Sequence, residues 1–167
     1  EEGVTSVGAC ALYQCTKITS ITIPSTVKTI GEWAFFYCKG LKELHIPSVE
    51  LWCKMTFDDN VFNNAAANND VKLIDDSKNK AITEITIPED VTKINGYAFP
   101  GCGYLKKITI HENVGEIGAG AFYGCKGLTS IEIPKKVTKI EESTFTNCFG
   151  LTSINIHEKI TSIGRYA

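Results

Sequence analysis

The sequence predicts an α/β solenoid that is mainly β, a right-handed superhelix of parallel short strands joined by short helical or 3₁₀ turns. Internal repetition is the first observation, since the pentapeptide GLTSI at 127–131 returns at 150–154. The second is that apolar residues keep the same phase in each 23-residue unit so defined. Because one such unit cannot bury its own apolar side chains, stacked units must bury them together.

The repeat predicts a single solenoid domain over residues 1–167. Positions are counted from the first residue of each unit, so that Leu128 is position 1 and Cys148 is position 21. The predicted units are a partial unit 1–17, units 18–40, 41–81, 82–104, 105–127 and 128–150, and a partial unit 151–167.

Each element of the unit follows from its residue types. Positions 1 to 6, LTSIEI at 128–133, are apolar at positions 4 and 6 with a polar residue between them and are rich in β-branched residues, which predicts a short strand with one face inward. Proline at position 7 lacks an N–H group and ends that strand. Positions 10 to 13, VTKI at 137–140, predict a second extended stretch. Glycine at position 14, as in Gly118, fits a tight turn, and the spacing of xxAFxxC at positions 15 to 21 predicts a short helix or 3₁₀ turn.

The unit 41–81 is irregular and carries an insertion over 48–80. Within it, ELWCKMTF at 50–57 is predicted as a strand. VKLIDDSKNKAITEITI at 71–87 is predicted as a hairpin with its turn at 76–79, returning into the next regular strand. The Asn/Ala-rich stretch 63–69 is expected to be its most mobile part. Two interpretations stay open for the insertion, namely a binding elaboration and a packing spacer.

The formal charge of −2 gives no overall electrostatic attraction to nucleic acid or to an anionic membrane. No apolar run approaches the ~20 residues that span a bilayer, and the opening EEGVTS has no signal-peptide pattern. Both termini interrupt a unit, so we expect either a fragment of a longer array or end-to-end packing between copies.

Five of the seven cysteines share position 21, and an odd total excludes complete pairing within one chain. Equivalent Cα atoms of stacked units lie ~5 Å apart, within disulfide range. A reduced, buried column is the favoured interpretation, because free cysteine behaves as a small apolar residue. Some disulfides and a metal site are the alternatives. Cys10 and Cys53 lie outside the column and are predicted to be the exposed thiols.

Little in the sequence supports catalysis. His111 and His157 share position 7 two units apart, so ~10 Å separates them, too far for shared ligation; with His45 they are interpreted as solvated rim residues. No nucleophile-elbow, zinc-protease, Walker or dinucleotide-binding pattern occurs. The acidic stretches 58–60 and 75–79 lack the EF-hand register and are interpreted as turns. We expect no enzyme, no cofactor and no metal.

The combined pattern LxxIxIPxxVxxIGxxAFxxC, as in residues 18–38, resembles the BspA-type leucine-rich repeat of 23 residues. The resemblance covers nearly the whole chain. The sequence departs from the family pattern at position 7, where His111 and His157 replace proline, and at position 17, where Thr144 replaces alanine. The resemblance implies a leucine-rich-repeat solenoid from a secreted or surface protein of host-associated bacteria or parasitic protists.

The surface therefore has to carry the function. We predict a non-enzymatic extracellular or cell-surface domain that mediates protein–protein interaction, including adhesion to host proteins or cells; the alternative is a structural spacer without a ligand of its own. Aromatic residues at position 16, Trp33, Tyr97 and Tyr166, predict a column on the turn side. The candidate partner-binding face consists of Thr22, His45, Thr86, Thr109, Glu132 and Asn155 at position 5, with Lys106 and Lys107 at positions 2 and 3.

Overall fold

The computed structural model describes residues 3–58 and 71–167 and shows a mainly β solenoid of about six turns, here called coils. Parallel short strands confirm the predicted fold class. The elements are β1 (Ser6–Val7), β2 (Ser20–Thr22), β3 (Thr29–Ile30), β4 (Glu43–Ile46), α1 (Val49–Lys54), β5 (Thr56–Phe57), β6 (Lys72–Asp75), β7 (Lys80–Ala81), β8 (Glu84–Thr86), β9 (Lys93–Ile94), β10 (Lys107–Thr109), β11 (Glu116–Ile117), β12 (Ser130–Glu132), β13 (Lys139–Ile140), β14 (Ser153–Asn155) and β15 (Ser162–Ile163).

Strands of neighbouring units pair in parallel at an offset of 23 residues, except at the insertion 48–80; β10 and β12, and β11 and β13, are not paired. The first strands of each unit form the pairs β2–β4, β8–β10 and β12–β14, with Ile131 opposite Ile154 in the last pair. The second strands form β1–β3, β9–β11 and β13–β15. Because side chains alternate between the two faces of a strand, the fixed offset places every position 4 above its equivalent on the core side.

The core is a continuous stack of apolar side chains. The rings of Phe99 and Phe122 lie 6.0 Å apart and within 3° of parallel, and those of Phe122 and Phe145 lie 5.7 Å apart at 11°. Burying one such ring contributes at most about 4–6 kcal/mol, taking 150–250 Å² of apolar surface at ~25 cal/mol per Å². The position-18 residues therefore supply a large share of the cohesion between coils.

Positions 15 to 21 differ from the prediction, since within the described units they form successive turns and no helix. The backbone has positive φ at positions 16 and 20, for example 56° at Trp33, 57° at Tyr37, 62° at Gly120 and 73° at Gly124. A left-handed residue at every fourth place interrupts a right-handed helix, and this is why the helical spacing of Ala, Phe and Cys did not produce one.

The turns form a third hydrogen-bonded wall beside the two strand walls. The N–H group of Leu12 donates to the carbonyl of Ala34 at 2.8 Å, and that of Gln14 donates to Phe36 at 2.7 Å, so alternate residues bond to the next coil. The N–H group of Ala34 instead donates to Gly31 at 3.2 Å within its own coil. The turns of two neighbouring coils are thus joined through backbone hydrogen bonds, as adjacent strands of a sheet are.

Glycine at position 14 is needed for close approach of two coils and not for a turn conformation. A Cβ atom on Gly31 would lie 2.5 Å from the backbone nitrogen of Ala9, and one on Gly118 would lie 2.4 Å from that of Gly96. Neither glycine has positive φ. The predicted reason for this glycine is therefore wrong, although its recurrence is structural.

The strand predicted for 50–57 is wrong over most of its length, because these residues begin as the helix α1. The hydroxyl oxygen of Ser48 accepts the N–H group of Leu51 at 3.1 Å and caps the helix. Val49, Trp52 and Cys53 have the i, i+3, i+4 spacing of an amphipathic helix, and Trp52 and Cys53 are buried. Only β5 at the end of this segment is extended.

Helix α1 joins the irregular unit to the regular unit that follows. The fully buried Trp52 donates its indole Nε1–H to the carbonyl of Ala98 at 2.8 Å. The amide of Asn95 donates to the carbonyl of Met55 at 2.7 Å, just beyond the helix. These contacts give the described part of the insertion a packing role; a binding role stays a hypothesis.

The predicted hairpin is confirmed. β6 and β7 pair antiparallel, with Ile74 opposite Ala81, and the turn between them spans 76–79. Asn79 has a φ of 47°, a conformation that asparagine tolerates. β7 does not continue into β8, which belongs to a separate pair with β10. The stretch 63–69 lies outside the described residues.

Candidate functional site

The first strands of the units, β2, β4, β8, β10, β12 and β14, form one wall of the solenoid, here called the first-strand wall. The six candidate residues at position 5 lie on its outer side, in three pairs. Thr22 is opposite His45, Thr86 opposite Thr109, and Glu132 opposite Asn155. Five of them are exposed and His45 is half-buried. The hairpin strands β6 and β7 follow β4 in the sheet, so they separate the first pair from the other two.

His45 belongs to a charged group that the sequence did not predict. Its Nδ1 lies 2.8 Å from a carboxylate oxygen of Asp76, and its Nε2 lies 3.9 Å from Glu43. Glu43 also lies 3.9 Å from the ammonium of Lys72. The insertion brings Lys72 and Asp76 beside His45, and no spacing rule within the regular repeat could have placed them there.

Lys106 and Lys107 lie at the start of β10 and are both exposed. Lys107 is opposite Glu84 on the neighbouring strand β8. Both N–H groups donate to the carbonyl of Thr83, at 2.7 and 3.3 Å, so the backbone of this pair is fixed while its side chains extend outward.

The two histidines at position 7 are more than solvated rim residues. Nε2 of His111 lies 2.5 Å from the carbonyl oxygen of Pro88, and Nε2 of His157 lies 3.1 Å from that of Pro134. Nδ1 of His111 accepts the N–H group of Asn113 at 3.1 Å. This geometry assigns the Nε2–H tautomer and occupies both ring nitrogens of His111, so the imidazole at position 7 bonds its coil to the preceding unit.

The cysteines at position 21 form the predicted buried column. Cys38, Cys102, Cys125 and Cys148 are buried, while Cys15 in the first coil is half-buried. The thiols of Cys38, Cys125 and Cys148 donate to the position-18 carbonyls of the preceding coil at 3.0–3.1 Å. Burial raises the pKa of Cys102 to about 12 and that of Cys148 to about 11, so these thiols are poor nucleophiles.

The two cysteines outside the column behave differently from each other. Cys10 is exposed, as predicted. Cys53 is buried on helix α1, and burial raises its pKa to about 12. The prediction that Cys53 is exposed is wrong for the same reason as the strand prediction for 50–57, since a helix directs this side chain to the core.

The acidic side chains of the described residues do not assemble a metal site. Within residues 3–58 and 71–167, no group of three or more His, Cys, Asp or Glu side chains could hold a metal ion. The buried carboxylate of Asp75 accepts the N–H group and the hydroxyl of Ser77, at 3.0 and 2.5 Å, and so stabilises the hairpin turn. Residues 76–79 form the turn predicted for 75–79, while Asp75 itself ends β6. The stretch 58–60 lies partly outside the described residues.

An exposed aromatic cluster lies on the turn wall of the first two coils. Phe36 stacks on Tyr13 at 5.2 Å and lies 4.6 Å from Tyr37 and 6.0 Å from Trp33. Tyr13 and Trp33 are 41% and 40% exposed. The predicted position-16 column is not continuous, because Gly120 and Ser143 occupy that position between Tyr97 and Tyr166. Aromatic residues at positions 19 and 20 complete the cluster instead.

Comparison with known proteins identifies the repeat. A family model for the BspA type leucine rich repeat region matches residues 1–78 and 75–167, in six copies. The chain belongs to this family. No curated protein matches this leucine-rich repeat chain. In the part of it that the structure describes, no helix is long and apolar enough to cross a membrane.

Solved structures of bacterial leucine-rich repeat proteins share the fold. A leucine-rich repeat protein of Bacteroides ovatus is 24% identical over 96% of this chain, with a TM-score of 0.57. The leucine-rich repeat protein of T. pallidum is 25% identical over 98%, with a TM-score of 0.50, and the pneumococcal vaccine antigen PcpA is 19% identical over 98%, with a TM-score of 0.54. This leucine-rich repeat chain covers only 37%, 69% and 51% of those proteins, respectively.

Proposed function

We propose that this chain is a non-enzymatic, secreted or cell-surface leucine-rich repeat domain that binds a protein partner, in adhesion to host proteins or cells. Membership in the BspA-type family supports the location and the class of function. The proposal assigns the first-strand wall, from Thr22 to Asn155, as the surface that the partner contacts.

One observation carries this proposal: five of the six position-5 side chains are exposed, in register within each strand pair, on a wall whose backbone is fixed by inter-coil hydrogen bonds. A surface that is ordered before binding loses little conformational entropy when a partner docks. Threonine side chains at Thr86 and Thr109 add hydroxyl groups with few rotamers, which suits a broad polar contact.

The aromatic cluster of Tyr13, Trp33, Phe36 and Tyr37 supports a second contact surface for the same partner class. Tryptophan and tyrosine are enriched among the residues that dominate binding energy in protein interfaces. The cluster lies on the turn wall, so variants can separate its contribution from that of the first-strand wall.

The test measures binding of the purified chain to a panel of purified extracellular matrix proteins by biolayer interferometry. We expect Thr86→Arg or Thr109→Arg to weaken binding of the partner found by at least tenfold. Thr92→Arg is the matched control, because Thr92 is also exposed in the same unit but lies before the second strand, and it should change binding less than twofold.

Two outcomes would contradict this assignment. Unchanged binding by both arginine variants, with loss in Trp33→Ser, would move the contact to the aromatic cluster. Absence of binding to every member of the panel would favour the alternative function, a structural spacer without its own ligand.

A further inference from the structure

Basic residues are concentrated at one corner of the solenoid. This cationic corner comprises positions 22, 23 and 1 to 3, where one coil passes into the first strand of the next, together with the start of the inserted strand β6. It holds seven lysines and two glutamates, a net charge of +5, whereas the remaining ten basic and seventeen acidic residues of the chain give −7. The lysines are Lys17, Lys39, Lys42, Lys72, Lys106, Lys107 and Lys126.

The overall charge of −2 conceals this separation. A net charge summed over the whole chain does not exclude a positive surface at one place and a negative surface at another. A charged ligand is attracted by the local electrostatic field. The lack of overall attraction to polyanions such as nucleic acid therefore does not describe this corner.

The corner is continuous in space across the irregular unit. The N–H group of Lys72 donates to the carbonyl of Lys42 at 2.8 Å, and the ammonium of Lys72 lies 5.7 Å from the ring centroid of Tyr104. Tyr104 and Lys126 line a shallow groove of about 250 Å³. The carbonyl of Lys106 accepts from Thr129 in the next coil at 3.5 Å. The insertion thus maintains the row of charges where the regular repeat is interrupted.

The two acidic residues of the corner offset only part of its charge. Glu43 lies 3.9 Å from Lys72 and also approaches His45. Glu84 is opposite Lys107 across the β8–β10 pair. Lys42 directly precedes Glu43 and Lys106 directly precedes Lys107, and both of these lysines are exposed.

The arrangement favours an extended polymer over a compact anion. Equivalent positions of stacked coils repeat every ~4.8 Å, so the ammonium groups follow the solenoid axis and do not converge on one point. Each lysine ammonium is a flexible, hydrated point charge. The corner contains no arginine, which would supply the planar, bidentate contact typical of specific phosphate recognition.

Among extended polyanions, the corner fits a polysaccharide better than a single-stranded nucleic acid. Proteins that bind single strands offer a series of aromatic rings on which successive bases stack. In the described corner, Tyr104 and Phe149 are 45% and 77% exposed and lie two coils apart. The ring of Tyr37 lies 5.1 Å from the Lys39 ammonium, on the other side of the irregular unit. These rings are separated along the solenoid and do not form such a series.

We propose that the cationic corner binds an acidic polysaccharide, a linear polymer that carries sulfate or carboxylate groups. The ligand class differs from the protein partner proposed above, so either proposal can fail without the other. Binding is electrostatic and weakens with salt, because each lysine contact releases condensed counterions from the polymer.

The test uses a heparin-derived decasaccharide and isothermal titration calorimetry on the whole chain. The corner variant combines Lys42→Thr, Lys106→Thr and Lys107→Ser, which introduces the residue types found at the same positions in units 18–40, 128–150 and 151–167. The control variant combines Lys135→Ser, Lys136→Thr and Lys139→Thr, which introduces Ser25, Thr26 and Thr29 from the same positions of unit 18–40. Both triples remove three positive charges.

We expect the decasaccharide Kd to increase about 100-fold in the corner variant, at roughly fivefold per lysine, and less than threefold in the control. The slope of log Kd against log salt should fall by about 2 in the corner variant alone. Equal thermal unfolding midpoints of both variants would verify that the fold is intact.

Three results would overturn the proposal. These are absence of decasaccharide binding by the wild-type chain, equal weakening in both triples, and tighter binding of an oligothymidylate of the same charge. The last result would assign the corner to single-stranded nucleic acid.

Discussion

Replacing Gly118 with alanine tests whether close backbone approach at position 14 sets the spacing of the coils. The new Cβ atom would lie 2.4 Å from the nitrogen and 2.8 Å from the Cα atom of Gly96, both backbone atoms that cannot rotate away. Contact between such atoms is favourable near 3.5 Å, so the coils must separate by about 1 Å at this point. The N–H group of Gly118 donates to Ile94 at 2.9 Å, and separation stretches this bond as well.

We expect Gly118→Ala to reduce the free energy of unfolding by about 1–3 kcal/mol, the usual cost of overpacking. Gly115→Ala is the matched control, since the nearest atom to its Cβ would be that of Lys136, at 4.0 Å. This change should stabilise the chain by about 0.4–1 kcal/mol, because alanine restricts the unfolded state.

Urea and thermal unfolding monitored by circular dichroism measure both variants. The unfolding midpoint of Gly118→Ala should lie on the order of 5–10 °C below that of Gly115→Ala, at ~2–4 °C per kcal/mol for a chain of this size. If Gly118→Ala unfolds at or above the wild-type temperature, the coils are not held at this spacing and the reasoning fails.

Two further predictions use the same measurement. Trp52→Phe should reduce the free energy of unfolding by about 1–3 kcal/mol, because the buried carbonyl of Ala98 loses the indole donor. Trp33→Phe, on the exposed turn wall, should change the free energy of unfolding by less than ~0.5 kcal/mol. Equal effects of the two substitutions would refute the anchoring role of Trp52. Cys102→Ala tests pH dependence. Burial raises the pKa of this thiol from 9.0 to about 12, so its stabilising effect is complete below pH 9 and is lost as the pH rises towards 12. The stability difference between the wild-type chain and Cys102→Ala should therefore shift by about 1.4 kcal/mol in favour of the variant between pH 7 and pH 10, and parallel pH profiles would contradict it.

The repeat was predictable because its information lies in the phase of core residues. Side chains such as Ile131 and Ile154 must face inward at a fixed interval, and the registers follow from that interval. The burial of the cysteine column was predictable for the same reason. In the turns, by contrast, positions 16 and 20 adopt positive φ with residues as different as Trp33, Tyr37 and Gly124. No shared residue type marks that conformation, because the inter-coil hydrogen bonds impose it.

The irregular unit contained a signal that the sequence analysis missed. Ser48 followed by apolar residues at 49, 52 and 53 is a capped helix pattern, but the β-rich repeat on either side favoured a strand. The candidate surfaces also differ in how far the sequence predicts them. Exposure of position 5 follows from alternation along a strand, whereas the group around His45 and the continuity of the cationic corner depend on where the insertion folds, which spacing alone does not encode.

The reversal of direction at β7 divides the molecule mechanically. Within the described residues, no strand pair joins β6 or β7 to β8, or β5 to β9, so the ladders end there. β10 and β12 are not paired either, but the turns of their two coils remain bonded, as in the bond from Phe122 to Thr144 at 3.1 Å. The two sides meet through the Trp52 indole, the Asn95 amide, the Lys54–Asp90 ion pair at 2.7 Å and the Lys72 ammonium near the Tyr104 ring. Two backbone bonds also join them, from Val71 to Gly101 at 3.1 Å and from Ile82 to Leu73 at 2.8 Å. Under tension along its axis, such an array yields first at this seam, and the coils on either side then open as separate cooperative blocks.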